Sequence, residues 1–284
     1  MATPLASPHT KSGLPGLPAR AARTASPTRR RALRVGSLAI FIAAWQLAVH
    51  FQLSLGIVKF ANVPSPTDVV PALVALLHSP KLPMHLSASV IRVLSGFSAA
   101  AIVGVGLGLA IGRYRVLEDI LLPPLEVLRP IPAVAWIPLA VLMFPSSEIS
   151  MMFITFIGAL FPILLNTVHG VEAVDPRLVA TARGLGAGPL RLYAEVVLPG
   201  AAPAIFTGLS IGMGTAWFCL VTAEMIAGQY GIGYFTWESY TLQNYADIVV
   251  GMALIGILGM GSSGLVKYAG HLATPWYRAR GTRQ

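Results

Sequence analysis

Apolar runs of about 20 residues alternate with short polar segments along most of the chain, a pattern that predicts membrane-crossing helices. The runs fall at roughly 35–57, 89–112, 125–144, 149–169, 203–227 and 248–268. Six spans follow, and the fold class is all-α and polytopic. The third run is interrupted by Pro130, Pro132 and Pro138. Proline inside a membrane helix removes a donor and frees carbonyls that must be satisfied by protein or water, so this segment should kink and face other helices or a cavity. Gly104, Gly108 and Gly112 recur at four-residue spacing in the second run, which suits close helix packing.

Residues 1–34 lack apolar periodicity and carry Lys11, Arg20, Arg23, Arg29, Arg30, Arg31 and Arg34. They read as a disordered basic tail followed by a start-anchoring charge cluster, since no small-residue cleavage site follows the late apolar segment. With the N-terminus in the cytoplasm, sixteen of the twenty Lys and Arg fall on the cytoplasmic side, including Arg113, Arg115, Arg177, Arg183, Arg191 and Lys267. The positive-inside rule therefore selects an N-in, C-in topology. The domains are then a tail at 1–34, a membrane domain at 35–270 with a cytoplasmic loop at 170–200, and a cytoplasmic tail at 271–284.

Composition agrees with this picture and removes rivals. Charged residues make up 11% of the chain and mean hydropathy is +0.71, against about 25% charged residues in a soluble domain. The net charge of +9 is spread over span ends and forms no single basic patch, so nucleic acid is not the expected partner. Cys219 is the one cysteine, which excludes an intrachain disulfide and a cysteine metal cluster. The six histidines show no paired ligand spacing, and neither a phosphate-binding G-x-x-x-x-G-K-[ST] loop nor a nucleophile elbow occurs. An enzyme is not expected.

The longest polar interruption, 170–200, has structure of its own. Asp175-Pro176 reads as a helix start, and Leu178, Val179, Ala182 and Leu185 form an apolar stripe at helical spacing. Gly186 and Gly188-Pro189 break that helix. A second amphipathic helix should follow, with Leu190, Tyr193, Val196 and Val197 packed, Arg191 and Glu195 solvated, and its end at Pro199. Two short helices joined by a glycine turn make a knob that can seat in a partner's groove. From the residues alone, an ordinary interfacial amphipathic loop fits equally well.

The same stretch resembles the loop by which permease subunits of bacterial ABC importers grip their ATPases. The family pattern is Glu-Ala-Ala, three residues, Gly, nine residues, then Ile-x-Leu-Pro. Ala182 stands at the second alanine, Gly186 at the glycine, Val196 at the isoleucine, and Leu198-Pro199 close the motif. Ala180 stands where the family has Glu, and Thr181 where it has Ala. RPIPAVAWIPL (129–139), FPILLNTVHGVEAVDP (161–176), GLSIGMGTAWFCLVTAEMIAG (208–228) and GIGYFTW (231–237) are similar to permeases for nitrate, sulfonate and taurine. The resemblance implies a type I ABC importer permease fold in the bacterial inner membrane, working by ATP-driven alternating access. It implies ABC ATPase subunits, a second permease copy in a homodimer, and a periplasmic substrate-binding protein. No cofactor is expected on this chain, ATP being held by the partner subunits.

Polar residues in or beside spans are the pathway candidates, because such groups are costly in lipid and face the bundle interior. They are Arg129, Asn166, Trp217, Thr222 and Glu224. Arg129 can attract an anion or snorkel to headgroups. Asn166 is expected to bond a neighbouring helix, and Glu224 to serve a structural or gating pairing. The aromatics from Tyr230 to Tyr245 read as an interfacial belt, or as a re-entrant stretch lining the outer gate with its turn at Gly231 and Gly233. The competing functional classes are a stand-alone secondary transporter or channel, disfavoured by the scarcity of ionisable groups deep in the spans, and a membrane assembly scaffold.

Overall fold

A computed structural model describes residues 27–52 and 63–277 of the chain. Among them the regular elements are all helical: α1 (Pro27–His50), α2 (Pro66–Leu77), α3 (Leu82–Ile111), α4 (Arg115–Leu128), α5 (Ile137–Met143), α6 (Ser147–Glu172), α7 (Pro176–Gly184), α8 (Pro189–Leu192), α9 (Leu198–Ala227), α10 (Ile232–Thr241) and α11 (Tyr245–Ala273). Five helical stretches are long and apolar enough to cross a membrane, and a bent pair makes a sixth.

That pair is the proline-rich third run. α4 and the segment 133–143 meet at 84°, with Arg129 to Pro132 at the break and a 3-10 turn at Ala133–Trp136. The expected continuous run at 125–144 is therefore two helices. Pro130 and Pro132 cannot donate to the preceding turn, and Pro disfavours helical backbone in the residue before it, so the ladder cannot pass through both. Pro123, Pro124, Pro162 and Pro203 are accommodated inside helices.

α3, α6 and α9 form the centre of the bundle, with Val93, Ala100, Ile154, Ala159, Ile163, Met213, Ala216 and Leu220 buried between them. Lipid solvates apolar side chains as well as protein does, so close contact rests on small residues and dispersion. The predicted glycine stripe supplies it. A Cβ at Gly104 would lie 3.0 Å from Ile163, one at Gly108 2.6 Å from Thr167, and one at Gly112 2.8 Å from Val171, all on α6. Gly96 extends the stripe, with Thr155 at 2.7 Å. Gly208 and Gly212 of α9 approach Asn166 and Ile163 in the same way.

α1 stands outside this core, packing on α2 alone among the stronger contacts and exposing Leu38, Ile40 and Phe41. Its start at Pro27 takes the last residues of the expected 1–34 tail into a helix; the rest of that tail lies outside the described residues. At the other terminus α11 reaches Ala273, so part of the expected 271–284 tail is helical, and 278–284 lie outside the described residues. The bundle has two distinct ends. The C-terminal ends of α3, α6 and α11 meet the start of α9 at the end that carries α7 and α8, called the loop end. The starts of α3, α6 and α11 and the end of α9 meet α2 and α10 at the opposite end.

Candidate functional site

At the loop end, the segment after α6 folds as two helices around a glycine turn. Asp175 caps α7, its carboxylate accepting from the Arg177 N–H at 2.8 Å with Pro176 at the first helical position. Gly186 has φ +81°, the left-handed region that a side chain disfavours, and an added Cβ would meet nothing within 4 Å of this chain. The turn requires the glycine; crowding within the chain does not. Leu185 and Leu190 flank the turn, each 84% exposed.

The second half of the loop departs from expectation. α8 passes through a π-turn at Tyr193–Val197 directly into α9, so the helix continues past Pro199 where an end was expected. The Leu198 N–H reaches Tyr193 O, one residue further back than in an α-helix. A π-turn shifts the bonding register ahead of Pro199, which has no N–H to offer. Tyr193 anchors the loop to α3, its hydroxyl donating to Leu109 O at 2.7 Å. Val197 is buried as expected, and Leu192 joins it, while Leu190 is exposed rather than packed. Arg191 and Glu195 form an exposed ion pair at 3.0 Å.

Between this loop and the bundle lies an open cleft of about 870 Å³. Thr181, Ala182, Val196 and Pro199 line it together with Asn166 and Tyr277. Four of the loop residues singled out by motif thus share one cleft with a pathway candidate. Ala180 and Leu198 are exposed and do not line it, and Gly186 sits at the apex of the turn. The Asn166 amide donates to Pro162 O at 2.8 Å. The expectation of a bond to a neighbouring helix is corrected: the amide returns to its own helix, taking up a carbonyl one turn back.

The remaining pathway candidates do not converge. Arg129 is exposed at the end of α4, and no ion pair of it is found among the described residues. The Trp217 indole N–H is spent on Ser262 Oγ at 2.8 Å, and the Thr222 hydroxyl on Phe218 O at 3.0 Å. Glu224 is different. It is wholly buried at the opposite end and accepts from Ser89 Oγ at 2.8 Å, Arg92 Nη1 at 2.9 Å and the Gly233 N–H at 2.9 Å. The expected structural pairing is present, and its cation is Arg92.

Arg92 lies ten residues into α3 and is 2% exposed. Its Nε and Nη2 hold both oxygens of Glu148 at the start of α6, and Nη1 also donates to Tyr230 O at 2.6 Å. One guanidinium therefore joins α3, α6, the end of α9 and the segment leading into α10. Planar donors in a fixed fork suit this arrangement in a way that a lysine does not. Ser89 accepts from the Ile232 N–H at 2.9 Å while donating to Glu224. His85 Nδ1 lies 3.1 Å from the Gly231 nitrogen, and its ring stacks on Tyr234 with centroids 6.3 Å apart.

The start of α10 thus points one N–H, that of Gly233, at the buried carboxylate, with the Ile232 N–H held by Ser89 and the Gly231 N–H by His85, and a carboxylate there is in the favourable sense for a helix N-terminus. Gly231 has φ +128°, and a Cβ there would collide with the Glu224 carboxyl. Of the two glycines expected at a turn, Gly231 makes it, around Glu224, and Gly233 lies within α10. Residue type and position singled out Glu224. Arg92, Ser89, His85 and Glu148 were missed, although an arginine set ten residues inside an apolar helix was the available signal.

Sequence similarity to known proteins assigns the family. Residues 82–270, from the first residue of α3 to near the end of α11, match the family described as binding-protein-dependent transport system inner membrane component. The chain is 34% identical to the nitrate import permease protein NrtB of Synechocystis sp. over 84% of its own length and 88% of that relative. It is 36% identical to a putative ABC transporter permease protein of Methanocaldococcus jannaschii over 82% and 87%. It is 38% identical to the bicarbonate transport system permease protein CmpB of Synechococcus elongatus over 61% and 63%. The helical bundle, its exposed loop and these relatives lead to one conclusion: the chain belongs to the binding-protein-dependent transport inner-membrane component family, the ABC importer permeases.

Proposed function

We propose that this chain is the permease half of an importer for a small anion, of the type that the relatives' names assign to nitrate and bicarbonate. The loop end faces the cytoplasm, as the distribution of Lys and Arg requires. There α7 and α8 form the knob that seats in an ATPase subunit, and the chain pairs with a second copy and receives substrate from a periplasmic binding protein. The single observation that carries the coupling role is the exposure of Leu185 and Leu190 on either side of the Gly186 turn, on a loop anchored to α3 through Tyr193. An apolar pair that the chain leaves uncovered, on a mount that transmits force to the bundle, is what a partner-driven lever needs.

The chemistry asked of the chain is mechanical. ATP bound between partner subunits supplies the energy, and this chain's residues convert displacement of the knob into rearrangement of helices. Arg92, Glu148 and Glu224 tie the ends of α3, α6 and α9 on the far side, so parting those helices must break charge-assisted bonds. The cleft at Asn166 and Pro199 opens at the near side. The arrangement fits a permease whose outer end is held shut while its inner end is accessible.

Purification of the tagged chain from its native membrane in mild detergent tests the reading. Mass spectrometry of the eluate should find a stoichiometric ATPase carrying a phosphate-binding loop. An intact chain that brings no ATPase overturns the proposal in favour of a stand-alone transporter. Reconstitution with that ATPase and its binding protein should give ATP-dependent uptake of nitrate or bicarbonate; uptake confined to an uncharged solute would remove the anion assignment and leave coupling intact.

A further inference from the structure

A second cleft, of about 310 Å³, runs between α9 and α11 at the loop end. Its lining is ordered by polarity. Phe206 and Ile211 line its α9 side, and Lys267, His271 and Tyr277 line its α11 side. Lys267 and His271 stand one helical turn apart on one face of α11, both exposed, and neither has an ion-pair partner among the described residues. No carboxylate lines the cleft. The hydroxyls of Thr207, Ser210 and Thr274 are spent on backbone oxygens, leaving the lysine, the imidazole and the tyrosine as the free donors.

The cleft has a floor where α9 and α11 meet. A Cβ at Gly270 would lie 2.7 Å from Phe206 Cβ, so the two helices already touch there, and the space beside them remains open. Unpaired donors on the α11 side face the apolar wall of Phe206 and Ile211 on the α9 side, and together they form an amphipathic slot. A soluble anion would satisfy the donors and leave Phe206 and Ile211 uncovered. A phospholipid satisfies both.

We propose that this cleft is a binding site for an anionic phospholipid of the inner leaflet, whose phosphate is held by Lys267, His271 and Tyr277 and whose acyl chain lies along Phe206 and Ile211. A basic pocket between spans on the cytoplasmic side is a recurrent form of such recognition. The proposal needs the membrane topology and is independent of ATPase coupling. Occupied, the slot links the start of α9 to the last span.

The test is native mass spectrometry of the full chain in detergent, titrated with phosphatidylglycerol, phosphatidylcholine or inorganic phosphate. Phosphatidylglycerol should be retained in preference to phosphatidylcholine, with about five-fold in affinity lost on Lys267→Gln and a smaller loss on His271→Gln. Lys267→Arg should retain the preference, and thermal unfolding in detergent should confirm that the variants fold. Equal retention of the two lipids by the unaltered chain overturns the proposal. So does a double variant that folds and keeps the preference. Saturable binding of inorganic phosphate with no lipid preference assigns the donors to a soluble anion and overturns the lipid reading.

Discussion

The two ends of the bundle solve opposite problems. At the far end, Arg92 and Glu224 are almost sealed from solvent, yet their bonds lie within the chain, across four helical elements. At the loop end, Leu185 and Leu190 are apolar and uncovered around a turn where a side chain at Gly186 would meet nothing else in the chain. A buried charge that finds its partners within the chain stabilises a particular arrangement of helices. An apolar pair without one is, on the proposed function, the surface that a second molecule covers. Substitutions at the far end should therefore act on stability, and those at the loop end on assembly and coupling.

The largest effect is expected at Arg92. Arg92→Ala leaves Glu224 uncompensated in a buried site, and removal of one member of such a pair costs about 3–5 kcal/mol. Thermal unfolding in detergent should show a large drop and loss of monodisperse protein. A variant as stable as the unaltered chain would mean that the network holds nothing. Glu148 is the contrast within the same network. It is 56% exposed, so Glu148→Gln should cost about 1 kcal/mol or less after solvent screening.

Next comes Gly231→Ala, which combines a left-handed backbone with a collision against Glu224. Strain of this kind costs about 1–3 kcal/mol. The same assay should rank it between Arg92→Ala and Glu148→Gln; a neutral result would show that the α10 turn is not built around the carboxylate.

At the loop end, the pair Leu185→Asp with Leu190→Asp should leave the unfolding midpoint nearly unchanged, since exposed substitutions usually fall within about 0.5 kcal/mol, while Gly186→Trp adds only the local strain of its positive φ, about 1–2 kcal/mol. Instead the aspartates should strip the ATPase from the purified chain. Gly186→Trp should abolish uptake in a complex that still assembles and hydrolyses ATP. Normal transport by an assembled Gly186→Trp complex would sink the coupling role.

The smallest effect lies at α2. Ser65 and Asp68 form a capping box, the Ser65 N–H donating to the Asp68 carboxylate at 3.0 Å. The Ser65 hydroxyl, and after it the backbone N–H, hold that carboxyl below the usual aspartate value of 3.8. A lowered carboxyl pKa contributes stability above the unfolded value and loses it as pH falls through the folded one. The start of α2 should therefore loosen only under acid, and Asp68→Asn should remove the pH dependence of amide exchange there.

Much of this was legible in residue order. Six apolar runs, the knob's first helix and its glycine turn follow from hydropathy, capping chemistry and positive φ, each set by neighbours within a few residues. The π-turn was less legible. Pro199 normally marks a helix end, and only packing of Val197 and Tyr193 against the bundle shows that the helix continues through it. The bend in the third run was legible as a kink, but its angle depends on what α5 packs against.

What residue order determined by itself is the class of molecule: a membrane-spanning helical chain whose topology follows from Lys and Arg counts, with a motif-bearing loop on the basic side. Those features depend on transfer of whole segments between water and lipid, which each segment's composition decides. Only the tertiary structure decided that Arg92, Glu148 and Glu224 form one network, and that Asn166 shares a cleft with the loop after α6. Partners separated by 56 and 132 positions meet because glycines at 96, 104, 108 and 112 let α3 sink against α6, and Gly208 and Gly212 let α9 do the same. A single buried charge is expensive in lipid wherever it lies. Which opposite charge neutralises it is settled by that close packing.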